Sequence, residues 1–327
     1  MLKLAMFDTK GYDRAAFEAR LAGRDVEIKF FEPNLSCDTV ALCAGYDCVI
    51  PFVNDRLDAD VIECIARMGV KLIALRCAGY NNVDLDAARA AGITVMRVPA
   101  YSPYAIAEHA MAMLLTIVRR THKAYIRTRD YNFSLNGMVG FDLHGKTVGV
   151  VGTGRIGRVF IDICRGFGMH VIAYDAYPAA DAGIEYVSKE ELLSRSDIIS
   201  LHCPLTKDTY HMVDEAALST MKKGVVIVNT SRGALIDAEA LLNAIKRRHV
   251  GAACLDVYEE EGDFFFEDFS GHILDDDVLS RLISMPNVLV TGHQAFLTEE
   301  ALDNIASTTL DNVRDFFAGV KNGNEII

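Results

Sequence analysis

Residues 148–160 read VGVVGTGRIGRVF, an apolar run that leads into glycines at 152, 154 and 157 and then into an apolar segment of helical period. Between a strand and a helix, Gly152 permits a tight turn, Gly154 lets the backbone approach a pyrophosphate, and Gly157 allows close helix packing. Glycines of this spacing also occur in turns that bind nothing. Because the motif begins near the middle of a 327-residue chain, a separate domain is expected before it.

Short β-branched runs alternate with helical patterns on both sides of this motif. Five runs begin at residues 2, 26, 47, 71 and 93, and six more begin at residues 146, 170, 197, 224, 251 and 287. Such alternation predicts parallel sheets with right-handed crossovers. The six later strands are enough for a complete dinucleotide-binding sheet. We therefore predict an α/β fold with two Rossmann-like domains.

Two helices are predicted to connect these domains. Pro103 suits a first helical position, and no helix-breaking residue follows until well past Arg120, so we expect one long helix that carries the chain into the second domain. After Thr298, apolar residues recur at helical spacing behind an acidic first turn. This last helix needs an apolar surface to cover, and we predict that it returns to the first domain.

The composition excludes several classes of protein. The formal net charge is −12 and the sequence pI is about 5.2, which argues against a nucleic-acid partner. No uninterrupted apolar stretch has the length of a bilayer span, so we expect no membrane partner and a cytoplasmic protein. The eight cysteines occur singly and without a CxxC pair, which indicates small buried side chains rather than disulfides or metal ligands.

A carboxylate indicates which dinucleotide the glycine loop binds. Asp175 ends the strand that follows the motif, 18 residues after Gly157, where it would accept hydrogen bonds from a ribose diol. The same carboxylate would repel a 2′-phosphate, and neither Ala176 nor Tyr177 supplies a cation. We therefore predict NAD rather than NADP. Arg155 is placed to reach the pyrophosphate, although a solvated surface arginine is the alternative.

Reactive side chains follow the last strands of the second series. Arg232 lies just past the fourth strand, Asp256 and Glu261 follow the fifth, and His293 follows the sixth. Ligands of open α/β sheets bind beyond the carboxyl ends of the strands, so these groups should converge on one edge. An arginine can clamp a carboxylate and polarise a carbonyl, and a histidine can exchange a proton near neutral pH. With NADH, this set suits hydride transfer to a 2-oxo acid.

Position alone leaves alternatives open. Arg232 could cap backbone carbonyls, and Glu259, Glu260 and Glu261 form a run of charges of the kind that is usually a solvated face. A glutamate bonded to the catalytic histidine would favour its protonated form, but spacing does not select one of the three. His202 also ends a strand and competes with His293 for the role of general acid.

Four segments, VGTGRIG, NTSRGALID, LDVYEEEG and TGHQAF, together resemble the NAD-dependent D-2-hydroxyacid dehydrogenase family, in order and across nearly the whole chain. Within the family, CAGYNNVD, RVPAYSPYAIAEHA, FFFED and TGHQAFLT are most similar to the fermentative D-lactate dehydrogenases. The resemblance implies that Arg232 binds substrate, that His293 and Glu261 are catalytic, and that His202 lies by the cofactor instead.

The resemblance also implies further binding residues. Substrate contacts are expected at Phe52, Ala78, Gly79, Tyr101 and Phe296, with the two phenylalanines as pocket walls. Many similar enzymes have tyrosine at the position of Phe52, and a bulky wall there favours small 2-oxo acids such as pyruvate. The full cofactor-binding set comprises Gly152, Gly154, Arg155, Ile156, Gly157, Asp175, Cys203, Pro204, Thr230 and Asp256.

The domain organisation of the family completes the expectation. Residues 1–100, completed by 298–327, would form a flavodoxin-like substrate domain that closes over a doubly wound NAD-binding domain at 101–297. The expected activity is reversible reduction of pyruvate to D-lactate by a homodimer or homotetramer. The alternatives are an enzyme of the same class that acts on 2-oxoisocaproate, phenylpyruvate or hydroxypyruvate, and an NAD-sensing interaction protein.

Overall fold

The computed structural model describes residues 1–179 and 183–327, with residue 263 described by its backbone only. The strands along this part of the chain are β1 (Leu2–Met6), β2 (Val26–Phe30), β3 (Cys48–Ile50), β4 (Leu72–Ala74), β5 (Thr94–Met96), β6 (Thr147–Val151), β7 (His170–Tyr174), β8 (Glu185–Tyr186), β9 (Ile198–Leu201), β10 (Val225–Asn229), β11 (Val250–Leu255) and β12 (Val288–Val290). Every β-branched run named from the sequence forms one of these strands.

The α-helices along the same residues are α1 (Gly11–Ala19), α2 (Ala59–Arg67), α3 (Leu85–Ala91), α4 (Pro103–Arg119), α5 (Thr121–Arg129), α6 (Arg155–Gly166), α7 (Lys189–Arg195), α8 (Glu215–Thr220), α9 (Ala238–Lys246), α10 (Asp277–Ser284) and α11 (Glu299–Phe317). No described helix is both long and apolar enough to span a membrane. The chain divides into two compact units, which are Met1–Ser102 with Leu297–Ile327, and Pro103–Phe296.

The first unit is built on a parallel sheet of strand order β2-β1-β3-β4-β5. This is the flavodoxin-like order, and its direction of winding changes between β1 and β3. Buried apolar side chains of the strands and of α2, such as Val49, Ile62 and Ile65, form its core. The predicted flavodoxin-like sheet is confirmed, and loops that leave the carboxyl ends of β1, β3 and β4 meet at one edge.

The second unit has a parallel sheet of order β12-β11-β10-β9-β6-β7-β8. Counted from β6, this is the doubly wound order 3-2-1-4-5-6 with one strand more, as predicted for a dinucleotide-binding sheet. Successive residues of β10 enter different cores, since Ile227 packs on one face and Val226 and Val228 on the other. The two-residue strand β8 was not expected, because Glu185 and Tyr186 are too few to form a β-branched run.

The long helix expected after Pro103 is broken, so that expectation is wrong in its length. Helix α4 begins at Pro103 as predicted but ends at Arg119, and α5 begins at Thr121. Between them Arg120 has a left-handed backbone with φ of 55°, and its guanidinium donates a hydrogen bond of 2.8 Å to the carbonyl oxygen of Gly137. Arginine carries no helix-breaking signal, so the sequence does not mark this break.

Helix α11 begins where the sequence predicts, at the cap formed by Thr298, whose hydroxyl accepts a hydrogen bond from the backbone of Ala301 at 3.2 Å. The helix belongs to the first unit and packs there against α1. Arg24 on the segment after α1 pairs with Asp311 at 2.9 Å. The last helix thus completes a core whose other members lie more than 200 residues earlier in the chain.

Candidate active site

The glycine loop joins β6 to α6 at the edge where the winding of the second sheet reverses. Gly152 has a φ of 92°, and a Cβ there would lie 2.6 Å from the carbonyl oxygen of His202. A Cβ on Gly157 would lie 2.0 Å from the carbonyl oxygen of Gly152, so no side chain fits at either position. Gly154 caps α6, and a Cβ there would point into open space. An anion can therefore approach the helix N-terminus closely.

Asp175 fixes this loop from the end of β7. Its carboxylate accepts hydrogen bonds from the backbone and the hydroxyl of Thr153 at 2.6 and 2.8 Å, and from the backbone of Tyr177 at 2.8 Å. Partial burial raises the pKa of this carboxyl, but the hydrogen bonds from Thr153 and Tyr177 outweigh it, and the net pKa is below its usual value. The group therefore carries a negative charge at neutral pH, as recognition of a ribose diol requires.

Other predicted cofactor residues surround the loop. Thr230, at the end of β10, has a buried hydroxyl for which the described residues provide no hydrogen-bond partner. Ile156 is half-buried on α6, whereas Arg155 and Pro204 are exposed. Burial raises the pKa of Cys203 to about 11, so this cysteine is a thiol rather than a nucleophile. The open glycine cradle, the ionised Asp175 and the unpaired Thr230 hydroxyl fit a bound dinucleotide.

Arg232 lies on a loop after β10 that hydrogen bonds hold together. The amide of Asn229 donates to the carbonyl oxygen of Arg232 at 2.8 Å and accepts from the backbone of Ser231 at 3.0 Å. One guanidinium nitrogen donates to the carbonyl oxygen of Ser231 at 2.7 Å. A guanidinium has five N–H donors, so this single bond to the backbone does not exhaust its capacity for a carboxylate.

Gly233 packs this loop against the loop that follows β11. A Cβ on Gly233 would lie 1.9 Å from the carbonyl carbon of Tyr258 and 2.4 Å from the backbone nitrogen of Glu259. Only glycine fits between these two loops. The backbone contact therefore fixes the loop that carries Arg232 against the loop that carries the three glutamates.

Of the three glutamates, Glu261 is the partner of His293. The Nδ1 atom of His293 lies 2.8 Å from one carboxylate oxygen of Glu261, and the other oxygen accepts a hydrogen bond from the backbone of Tyr258 at 2.9 Å. Both side chains are about one-fifth exposed. Glu259 bonds instead to His211, and Glu260 is exposed. The geometry thus makes the choice that the spacing of the charges left open.

His293 sits on a strained turn that Asp256 holds. Its φ is 52°, and its backbone N–H donates to the carbonyl oxygen of Asp256 at 2.8 Å. The fully buried carboxylate of Asp256 accepts hydrogen bonds from the backbone of Gln294 and Ala295, each at 2.9 Å. Burial raises the pKa of Asp256, but these bonds and those from His109 and Thr291 lower it overall. Asp256 is therefore an ionised support for the turn that carries His293.

His109 on α4 is a member of this network that the sequence reasoning missed. Its Nε2 lies 3.3 Å from a carboxylate oxygen of Asp256 and 3.2 Å from the hydroxyl of Thr291. His109 and Asp256 are 147 residues apart, and neither lies in a recognisable spacing with the other. The only sequence signal is a polar residue on an otherwise apolar helix face.

His202, the rival for the role of general acid, is held in a different environment. Its Nε2 bonds to the hydroxyl of Ser200 at 2.8 Å, and its ring packs against Phe160 with 4.9 Å between centroids. Burial lowers the pKa of His202 to about 4. At neutral pH this imidazole is uncharged, so it has no proton to give as a general acid.

Four of the predicted substrate contacts belong to the first unit, and Phe296 ends the second. The buried ring of Phe52 lies under the guanidinium of Arg76, which is 4.1 Å from the ring centroid. The carbonyl oxygens of Ala78, Gly79 and Tyr101 accept hydrogen bonds from side chains of the same unit. That these residues bind substrate stays a prediction.

Comparisons with known proteins agree with this geometry. Residues 111–295 match the model of the family described as D-isomer specific 2-hydroxyacid dehydrogenase, NAD binding domain. The chain is 51% identical to D-lactate dehydrogenase of Escherichia coli strain K12, with all of both chains covered.

Solved structures resemble the whole chain as well. The pyruvate reductase of Chlamydomonas reinhardtii is 45% identical with a TM-score of 0.94, over 99% of this chain and 98% of that one. D-lactate dehydrogenase of Aquifex aeolicus, complexed with NAD and lactic acid, is 32% identical with a TM-score of 0.87, again over 99% and 98%. With the glycine cradle and the His293–Glu261 pair in place, the chain belongs to the D-isomer specific 2-hydroxyacid dehydrogenase family, whose cofactor is NAD.

Proposed function

We propose that this enzyme is a D-lactate dehydrogenase, which reversibly reduces pyruvate to D-lactate with NADH. The observation that carries the proposal is the 2.8 Å contact between His293 and Glu261, on the loops that follow β12 and β11, next to the loop after β10 that presents Arg232. A proton donor with a carboxylate behind it, and a guanidinium whose single bond to Ser231 leaves further N–H donors for a carboxylate, are the groups that reduction of a 2-oxo acid needs.

In the proposed mechanism, NADH supplies a hydride to the carbonyl carbon when it is bound. Arg232 binds the substrate carboxylate and draws electron density toward the carbonyl oxygen. Because Glu261 engages Nδ1 of His293, Nε2 is the nitrogen that donates a proton to that oxygen. Glu261 stabilises the imidazolium before the transfer. In the reverse direction Nε2 accepts the hydroxyl proton of D-lactate.

We propose pyruvate as the substrate because Phe52 would be a bulky wall of the pocket and because the Escherichia coli and Chlamydomonas relatives are named for D-lactate and pyruvate. Phe296 would form a second wall, Tyr101 would contact the substrate, and the backbone around Ala78 and Gly79 would hold its carboxylate. One methylene more or less in such a pocket changes the preference by about 1–3 kcal/mol.

We also propose that the enzyme is a homo-oligomer that acts in the cytosol. Between residues 125 and 141 the second unit exposes a run of large apolar side chains, which are Tyr125, Ile126, Tyr131, Phe133, Leu135, Val139 and Phe141. Apolar clusters of this kind mark protein–protein interfaces, and a second copy of the chain would cover them. The eight free thiols favour a reducing compartment.

The experiment mixes purified protein with NADH and pyruvate, follows the loss of NADH absorbance, and resolves the lactate on a chiral column. Rapid turnover to D-lactate, with slower reduction of hydroxypyruvate, phenylpyruvate and 2-oxoisocaproate, is the expected result. Faster reduction of a bulkier 2-oxo acid would contradict the substrate and keep the mechanism. Binding of NADH without reduction of any 2-oxo acid would contradict the enzymatic function.

A further inference from the structure

Three neighbouring loops of the second unit carry the groups that the reaction needs. The loop after β9 contains the predicted cofactor residues Cys203 and Pro204, the loop after β10 carries Arg232, and the loop after β11 carries Glu261. Each loop is attached to its own strand only at one end. Something must therefore set the spacing of the loops where they extend beyond the sheet.

His211, which the mechanism does not use, touches all three loops. It belongs to the loop after β9, and its backbone N–H donates to the carbonyl oxygen of Ala234 in the Arg232 loop at 2.9 Å. Its Nε2 bonds to the carboxylate of Glu259 in the Glu261 loop. Two hydroxyl bonds stiffen the chain before it, since Thr209 donates to the carbonyl oxygen of Pro204 and accepts from the backbone of Thr206, each at 2.8 Å.

The partner carboxylate has further contacts that hold it in place. Tyr210 stacks on the ring of His211 at 4.0 Å between centroids, and its hydroxyl lies 3.5 Å from Glu259. The other oxygen of Glu259 lies 3.5 Å from the backbone nitrogen of Ala238, at the first residue of α9. The side chains of His211 and Glu259 are 26% and 23% exposed, so water screens this pair less than a surface ion pair.

The residues of this pair lie close in sequence to the catalytic groups. Glu259 precedes Glu261 by two residues, and Ala234 follows Arg232 by two. Gly233 packs on the backbone of Tyr258, so a shift of either loop is resisted by the other. A displacement of about 1 Å in a catalytic group can lower the rate about 100-fold. Loss of the His211–Glu259 bond would release the outer ends of these loops.

We propose that His211 and Glu259 are positioning residues, which join the loop after β9 to the loops that carry Arg232 and Glu261. The pair thereby sets the distance between the guanidinium of Arg232 and the His293–Glu261 pair. The proposal rests on the proposed function. Neither residue exchanges a proton with the substrate, so each acts through Arg232 and Glu261. The pair differs from the supports of Asp256, which hold the turn of His293 and not these loops.

The test compares His211→Ala, Glu259→Ala, the double variant and Glu259→Gln with the wild type. A matched control is Arg247→Ala, which removes an exposed ion pair of 2.8 Å with Glu215 between α9 and α8 of the same unit. For each protein, kcat and KM for pyruvate, the Kd for NADH and the Tm are measured. The binding of oxamate, an unreactive amide analogue of pyruvate, to the NADH complex is measured by fluorescence.

We expect each alanine variant to lower kcat/KM for pyruvate about tenfold and to weaken oxamate binding, because Arg232 is displaced. The double variant should lose no more kcat/KM than either single variant, since each single variant already removes the same bond between His211 and Glu259. Glu259→Gln keeps an acceptor for His211 and should recover most of the loss. The control variant should stay within twofold of wild type in all four measurements of activity and binding.

Three results would overturn the proposal. The first is a double variant whose loss of kcat/KM equals the product of the two single losses. The second is a lowered Tm in the alanine variants with kcat/KM and oxamate binding unchanged. The third is an equal loss of kcat/KM in Arg247→Ala. If the wild type reduces no 2-oxo acid, the proposed function fails. Oxamate binding then tests the positioning proposal separately. Weaker oxamate binding in His211→Ala than in Arg247→Ala would support the proposal. Equal binding in the two variants, or no detectable binding, would overturn it.

Discussion

Two histidine–glutamate pairs lie at the carboxyl edge of the second sheet, and their glutamates are only two residues apart. His293 and His211 both have left-handed backbones, with φ of 52° and 48°, and both side chains are about one-fifth to one-quarter exposed. The pairs differ in the nitrogen that the glutamate engages. Glu261 bonds to Nδ1 of His293, whereas Glu259 bonds to Nε2 of His211, whose ring is covered by Tyr210.

The nitrogen that each glutamate engages decides which ring nitrogen is left over in each pair. In the proposed mechanism, Nε2 of His293 exchanges a proton with the substrate, whereas Nε2 of His211 binds Glu259 of a neighbouring loop. The same two residue types would therefore serve as a proton donor in one pair and as a link between loops in the other. Residue type and charge do not distinguish the two pairs, but the engaged ring atom does.

The largest expected effect comes from removing each histidine in turn. His293→Ala should lower kcat for pyruvate reduction by ~10²–10⁴, because the general acid is lost. His211→Ala should lower kcat only about tenfold, because it displaces Arg232 and Glu261 without removing them. Steady-state kinetics at saturating NADH measures both. A loss of only a few-fold in His293→Ala would contradict its role as the general acid.

The next comparison removes the charge of each glutamate. Glu261→Gln takes away the carboxylate that faces Nδ1 of His293, so kcat for pyruvate reduction should fall about 100-fold. Glu259→Gln keeps an acceptor for His211 and should stay within a few-fold of the wild type. The measurement is kcat for pyruvate at saturating NADH. Equal losses in both variants would mean that the two pairs are not functionally distinct.

Asp256 supports only the first pair, and its removal should destabilise the turn of His293. Asp256→Asn puts an amide donor against backbone N–H groups and should lower the free energy of unfolding by about 1–3 kcal/mol. The folded-state pKa of Asp256 is depressed, so its stabilisation is fully present above the unfolded value of about 3.8 and is lost as pH falls through the lower, folded pKa. Urea unfolding of the wild type and of Asp256→Asn should give a difference in the free energy of unfolding that stays constant from pH 5 to 8. A difference that vanishes by pH 6 would contradict an ionised Asp256.

The smallest expected change lies outside both pairs. Asp175→Ala removes the carboxylate that repels a 2′-phosphate. The preference for NADH over NADPH should therefore narrow about tenfold, which corresponds to about 1.4 kcal/mol. The pH profile of pyruvate reduction with saturating NADH should stay that of the wild type. The ratio of kcat/KM for the two cofactors measures the change, and an unchanged ratio would assign the discrimination to another residue.

The sequence was informative where one residue type has one structural use. Gly152 and Gly157 occupy positions that admit no side chain, and the β-branched runs of β3, β4, β9 and β10 form strands that are buried on both faces of a parallel sheet. In the acidic stretch after Glu261, Phe265 is buried in the core of the second unit.

The sequence was uninformative where the partner is distant in the chain. Spacing could not assign Glu259 and Glu261 to different histidines, because His211 and His293 lie on opposite sides of them in sequence. It could not show that His109 supports Asp256, since that contact exists only after α4 has packed on the sheet. The break at Arg120 arises from a backbone angle that arginine does not favour, and it left no mark in the composition.

The division of the first unit into two chain segments has a consequence for biosynthesis. Its sheet is complete in sequence by Met96, but α11 and the C-terminal segment add contacts that come last, including a bond of 2.9 Å from Asn312 to the carbonyl oxygen of Arg97 and one of 2.8 Å from Ile326 to Val95. On the ribosome, the second unit is therefore entirely synthesised while the first still exposes the surface of α1. The order of emergence of the two units is the reverse of the order in which they can be completed.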